Sequence, residues 1–154
     1  MFRISIIFSI LILSSANVMG QSQSVAFEDL KALQIKEPRP VAVLIMTTWC
    51  KYCHAMKNTM LKNKKVSALL GAKFYTVFLN AEQKDDILFA GRRFKHKEGV
   101  HELAQELGTM NGQVSYPSFC LLNSRNEIIY QHDGFLSSQA MVDILLIISK
   151  SDNH

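Results

Sequence analysis

Two cysteines, Cys50 and Cys53, stand two residues apart in "TTWCKYCHAMK" (residues 47–57), directly after the only tryptophan of the chain, Trp49. A C-x-x-C pair can exchange disulfides, supply half of a tetrahedral metal site, or act as a structural staple. The elements around the pair weigh between these. "VAVLIMTT" just before it is a nearly continuous, β-branched apolar run, the pattern of a strand covered on both faces. From Lys51 to about Leu70 the apolar residues Met56, Met60, Leu61, Val66, Leu69 and Leu70 recur at helical spacing, with Gly71 as a stop. A strand feeding a helix at Cys50 sets the first sulfur at a helix N-terminus, where unpaired N–H groups and the dipole stabilise a thiolate. That lowers a thiol from its usual ~8.5 and makes Cys50 an exposed nucleophile. Cys53, one turn into the helix and more shielded, is placed to attack a mixed disulfide at Cys50 and release the reduced partner.

Other residues gather around this pair in the sequence pattern. Trp49 is expected to pack over the site and shield it, and Tyr52 and Tyr116 to offer an apolar docking surface for substrate. In "SYPSF", Pro117 opens a strand although it has no ladder donor. A cis peptide there would lay an extended backbone edge beside the cysteines, ready to pair with a substrate peptide. His54 follows the pair and is a candidate for moving a proton. Cys120 lies inside an apolar strand and reads as a buried, inert thiol. His54, His96 and His101 could complete a zinc or copper set with the two thiolates, so a metal chaperone or binding module stays open as the alternative. With no second C-x-x-C and no tight histidine pair, redox chemistry is the preferred reading, and no metal or other cofactor is expected.

"VAFEDLKALQIKE" reads as a helix ended by Pro38 and Pro40, and "KFYTVFLNAE" as a strand centred on Phe74 to Leu79. Residues 84–99 form a polar, basic connector in which Arg92, Arg93, Lys95, His96 and Lys97 read as a solvated loop. "VHELAQELG" is helical, and "TMNGQVSYP" is a loop leading to the strand "SFCLLN". "NSRN" turns the chain into "EIIYQH", and a final helix capped by Ser137 or Ser138 carries Met141, Ile144, Leu145 and Ile148 on one stripe. The order is α-β-α-β-α-β-β-α, an α/β chain with neither repeat nor linker.

The chain has 154 residues, 48% hydrophobic and 19% charged, which suits one globular domain. "MFRISIIFSILILSSANVMGQ" has the layout of a secretory signal peptide: Arg3, an apolar run, then small residues at Val18 and Gly20. The expected organisation is a signal peptide over 1–20 and a single domain over 21–154. An uncleaved anchor is disfavoured, because the run falls short of the roughly 20 residues that span a bilayer. Without it, 16 basic against 13 acidic residues leave a charge of +3, too mild to imply nucleic acid. Export would put the cysteines in an oxidising compartment.

"VAVLIMTTWCKYC", the downstream "YP" before an apolar strand, the hairpin and the C-terminal amphipathic helix together resemble the thioredoxin superfamily over roughly residues 41–149. More narrowly, residues 49–82 are similar to exported bacterial thioredoxin-like proteins, including C-terminal domains of periplasmic thiol:disulfide interchange reductases. The resemblance implies a central mixed β-sheet flanked by α-helices, with an extended connector before the cis-proline. It also implies Cys50 as nucleophile, Cys53 as resolving thiol, Pro117 as the cis-proline, a disulfide-containing protein substrate, an upstream thiol donor such as a membrane protein, and a periplasmic location. The direction it favours is reductase or isomerase support. Lys51–Tyr52 stands where ordinary thioredoxins have Gly–Pro, and two strand positions depart from the family pattern as well. Leu44 stands where thioredoxins bury a carboxylate, and Phe78 where a lysine accompanies it. A proton acceptor for Cys53 must then be sought elsewhere, with His54 and Glu82 as candidates beside water.

Overall fold

The computed structural model describes residues 23–151. The signal-peptide segment therefore lies outside the described residues.

Helix α1 (Phe27–Lys36) leads through Pro38 and Pro40 into strand β1 (Val41–Met46), all six residues of which are buried. Helices α2 (Lys51–Lys62) and α3 (Lys64–Lys73) follow, then strand β2 (Tyr75–Asn80). The single helix expected from Lys51 to Leu70 is thus two. Asn63 breaks it by taking an extended conformation (φ −70°, ψ 120°), and its Oδ1 accepts from the backbone N–H groups of Lys65 and Val66. An asparagine gains more by capping a new helix than by continuing an old one. Gly71, expected as a stop, sits inside α3.

The basic connector is not an open loop. It folds into two short hairpins, β3 (Ile87–Phe89) with β4 (Arg92–Phe94) and β5 (His96–Lys97) with β6 (Val100–His101). After α4 (Glu102–Gly108), the segment expected as a loop forms a third, β7 (Thr109–Met110) with β8 (Gln113–Val114). Each turn places an X-Gly pair at positive φ: Ala90–Gly91, Glu98–Gly99 and Asn111–Gly112. Two positive φ values in succession are what a tight turn needs to match the twist of its strands. Three of the basic side chains are ion-paired, Arg93 with Asp86 just before β3, and Arg92 and Lys97 with Glu106 and Glu102 of α4.

Strand β9 (Ser118–Leu122), strand β10 (Ile128–Asp133) and helix α5 (Ser138–Ser151) complete the chain. Ser137 caps α5, its Oγ accepting from Ala140 N–H. The main sheet runs β10-β9-β1-β2, with β1 parallel to β2 and antiparallel to β9, so it is mixed as expected. Alternation along β1 sends Val41, Val43 and Ile45 to one face, against α1, α4 and the β3–β4 hairpin, and Ala42, Leu44 and Met46 to the other, against α2, α3 and α5. The cysteine pair belongs to the second face. Leu44 and Phe78 are register partners on adjacent strands, so the two unusual positions do meet.

Candidate active site

Cys50 is the N-cap of α2. Its extended backbone (φ −80°, ψ 105°) turns Sγ back along the helix axis, where it accepts the Cys53 backbone N–H at 3.1 Å. The two sulfurs are joined in a disulfide, with Cα atoms 5.2 Å apart. On reduction the Cys50 sulfur would become the thiolate that this N–H and the helix N-terminus are arranged to stabilise. No acidic residue stands in the first turn of α2 to oppose that charge, and Lys51 follows directly. Cys50 is not open as expected: it is 6% exposed, against 0% for Cys53. The inward-turned Sγ, tied to a fully buried partner, accounts for this. The order of accessibility, Cys50 before Cys53, is kept.

The Tyr116–Pro117 peptide is cis, and it delivers β9 to the edge of the site. Pro117 O accepts the backbone N–H of Gly134, so the start of β9 is fastened to the loop after β10. The same loop meets α2 where Leu136 N–H points at Met56 Sδ. The cysteine helix, the cis-proline strand and the β10–α5 loop therefore form one locked corner.

Aromatic side chains stand on both sides of this corner. Trp49 is 67% exposed and lies edge-on to Tyr116 at 6.4 Å, so it flanks the site and does not cover it. Its Nε1–H donates to Glu82 Oε1 at 3.0 Å, a bond that holds the indole outward. Tyr116 is half-buried; burial, helped by the Glu82 charge, raises its hydroxyl above the ordinary tyrosine value. Tyr52 is 69% exposed and faces Phe135, itself 49% exposed, at 6.1 Å. Phe135 escaped the sequence reading. Its only signal was a lone aromatic after Gly134, in a loop whose approach to α2 is a tertiary fact.

The two proton candidates are bonded elsewhere. His54 Nε2 lies 2.8 Å from the Thr48 carbonyl and Glu82 holds Trp49. Around Cys53 the second core face is apolar, with Leu44, Met56, Met60, Phe119 and Leu136 among its members. Phe78 flanks this face and carries the Lys57 ammonium 4.8 Å over its ring. Cys120 is a free, fully buried thiol on the other core face, opposite Val43, and burial pushes it up to about 12. Among the described residues no group of three or more His, Cys, Asp or Glu side chains is placed to hold a metal ion. His96 and His101 sit on the β5–β6 hairpin, each bonded to backbone carbonyls.

The family model described as a thioredoxin-like domain matches residues 26–147. A search of curated proteins finds no match. Among solved structures, a thioredoxin from Thermus thermophilus superposes with a TM-score of 0.62 at 18% identity, over 87% of this chain and 92% of that one. A protein described as DsbH oxidoreductase gives 0.60 at 14% identity, over 85% and 86%. A disulphide isomerase from Xylella fastidiosa Temecula1 gives 0.55 at 22% identity, over 79% and 86%. At these identities the likeness is one of fold, and the chemistry rests on the cysteine pair at the start of α2. The chain belongs to the thioredoxin-like domain family and is a protein-disulfide oxidoreductase.

Proposed function

We propose that the protein is exported and acts on disulfide-containing proteins in the reducing or isomerising direction. Reduced Cys50 attacks a substrate disulfide; one substrate sulfur leaves as a thiolate and the other is held as a mixed disulfide. Cys53 then attacks Cys50 Sγ, the mixed disulfide breaks, and the substrate departs as a dithiol with two electrons gained. An upstream thiol donor, for which a membrane protein is our choice, returns the Cys50–Cys53 disulfide to the dithiol. Trp49, Tyr52, Tyr116 and Pro117 receive the substrate chain, with the backbone before β9 pairing to it as an added strand. The observation that carries this reading is the N-capping sulfur of Cys50 on the core face against which Tyr116 of the cis Tyr116–Pro117 peptide packs. His54 and Glu82, bonded to Thr48 and Trp49, are given the task of holding the 48–49 segment; the Cys53 proton then leaves to water. The isomerase among the structural relatives favours a role in rearranging disulfides. Residues 1–20, with their signal-peptide layout, favour a periplasmic site of action.

Insulin reduction by the purified protein tests the chemistry. Cys50→Ser is expected to abolish it, and Cys53→Ser to accumulate a mixed disulfide that resolves on non-reducing gels and collapses with dithiothreitol. Retention of full activity by Cys50→Ser would refute the mechanism. Export is tested by N-terminal sequencing of the full chain expressed in a Gram-negative host, where a mature start at Gln21 in the periplasmic fraction is expected.

A further inference from the structure

The 13 carboxylates of the chain are unevenly placed. None lies between Glu37 and Glu82, whereas Lys51, Lys57, Lys62, Lys64, Lys65 and Lys73 all stand on α2 and α3. These helices cover the second core face, so that side of the molecule is basic. The elements over the first face carry both signs, and Arg92, Arg93 and Lys97 find carboxylates within the chain. Among the described residues no ammonium group of α2 or α3 forms an ion pair. Lys57 is half-buried over the Phe78 ring, and the other five are exposed.

The fold itself opposes part of this arrangement. Lys64 and Lys65 open the first turn of α3, which holds no acidic residue, so two ammonium groups stand at the positive end of the helix dipole. A carboxylate there would stabilise the helix, and only the Asn63 side chain caps it. The mutual repulsion of these charges is relieved when a counter-charge arrives from outside the chain.

The size of the basic face selects the kind of partner. Helix α2 starts at Cys50 and runs away from it, with α3 continuing from Asn63. At about 1.5 Å per residue, Lys62 lies about 17 Å along the helix from Lys51. A small anion cannot reach both, whereas a polypeptide can. Tyr52, at the redox end, is the one large apolar side chain that α2 and α3 expose, so the face lacks the apolar stripe that settles a helix into a bilayer. We propose that the α2–α3 face is a docking surface for acidic protein substrates. Substrate carboxylates pair with Lys62, Lys64 and Lys65 while the substrate disulfide lies at Cys50. This deepens the oxidoreductase reading and rests on it for the reaction alone.

Two synthetic peptides test this, each closing one disulfide loop and carrying about eight glutamates or about eight lysines on either side, a reach of about 26 Å when extended. Wild type is expected to reduce the glutamate peptide with a kcat/KM about tenfold above that for the lysine peptide at about 20 mM salt, the ratio approaching one at about 0.5 M as screening takes over. K64E/K65E should lose most of that preference and reduce hydroxyethyl disulfide, a small neutral probe, at the wild-type rate. Its denaturation midpoint should be no lower than that of wild type, because carboxylates then stand at the N-terminus of α3. If the midpoint falls, K62Q/K65Q is read in the same way. K31E/K36E changes the net charge equally at exposed positions on α1, across the sheet, and should keep the preference. Equal rates for the two peptides in wild type at low salt would overturn the proposal, as would an unchanged preference in K64E/K65E. An equal loss in K31E/K36E would assign the effect to net charge and overturn it too. Binding to phosphatidylserine vesicles that K64E/K65E abolishes, without any peptide preference, would give the face to a membrane surface instead. Failure to reduce either peptide or hydroxyethyl disulfide would sink the oxidoreductase reading. Fluorescence anisotropy of the labelled glutamate peptide then still decides the surface: tighter binding to wild type than to K64E/K65E supports it, and equal binding overturns it.

Discussion

A single sulfur, Cys50 Sγ, does two jobs: it caps α2 by accepting the Cys53 N–H and is half of the disulfide. The third cysteine of the chain does neither. Cys120 is buried on the opposite core face, and burial pushes its thiol up to about 12. In reduced native protein near neutral pH, a small alkylating agent is therefore expected to modify Cys50 within minutes and leave Cys120 untouched until denaturant is added. Mass spectrometry with and without denaturant measures this, and rapid native labelling of Cys120 would contradict the burial. The aromatic flank makes a separate prediction. Tyr52 and Phe135 expose large apolar area beside the redox pair, so Phe135→Ser should lower kcat/KM for a peptide disulfide flanked by apolar residues. A loss of about tenfold corresponds to some 1.4 kcal/mol of transition-state contact. A small disulfide that cannot reach the ring should show no loss, and equal losses on both would assign Phe135 to folding instead.

At the scale of elements, Asn63 shows how one side chain sets architecture. Its Oδ1 serves two N–H groups of α3 while its own N–H closes the last turn of α2 on Thr59 O. Asn63→Ala should cost about 1 kcal/mol, the usual worth of an N-cap, seen as a lower denaturation midpoint with unchanged m-value and unchanged insulin reduction. The strand-to-helix junction at Cys50 was legible in the sequence because periodicity switches abruptly there, from the apolar run of β1 to the helical spacing of Met56 and Met60. The split at Asn63 was less so, because apolar periodicity runs on through it and only cap chemistry marks the break. Asn111–Gly112 carried a strong hairpin signal, yet its strands are two residues each, too short for alternation to show. The Glu82–Trp49 bond was beyond reach: residues 33 apart in sequence meet only after β1 and β2 pair in parallel.

For the whole molecule, the two-faced sheet separates chemistry from ballast. The redox pair draws on the face shared by α2, α3 and α5, while Cys120 helps fill the face under α1 and α4. That division yields a stability prediction with a definite sign. Oxidised protein holds Cys50 and Cys53 as a disulfide, so Cys120 is the one cysteine left to titrate. Its folded thiol is raised from 9.0 to about 12, so between these values the unfolded chain loses a proton that the folded chain keeps. The stabilising contribution is fully present below the unfolded value and is lost as pH rises toward the folded one, with a slope of up to about 1.4 kcal/mol per pH unit. Tyr75, Tyr116 and Tyr130 are raised by burial as well, so wild type alone does not isolate the thiol. Cys120→Ala does. The variant should be modestly less stable at neutral pH, where it loses a sulfur from the core, and should lose less on going from pH 9 to pH 11. Urea midpoints of the oxidised proteins across that range measure the difference. Parallel pH dependences for wild type and variant would mean that Cys120 ionises in the folded state, and that its face of the sheet is open to water.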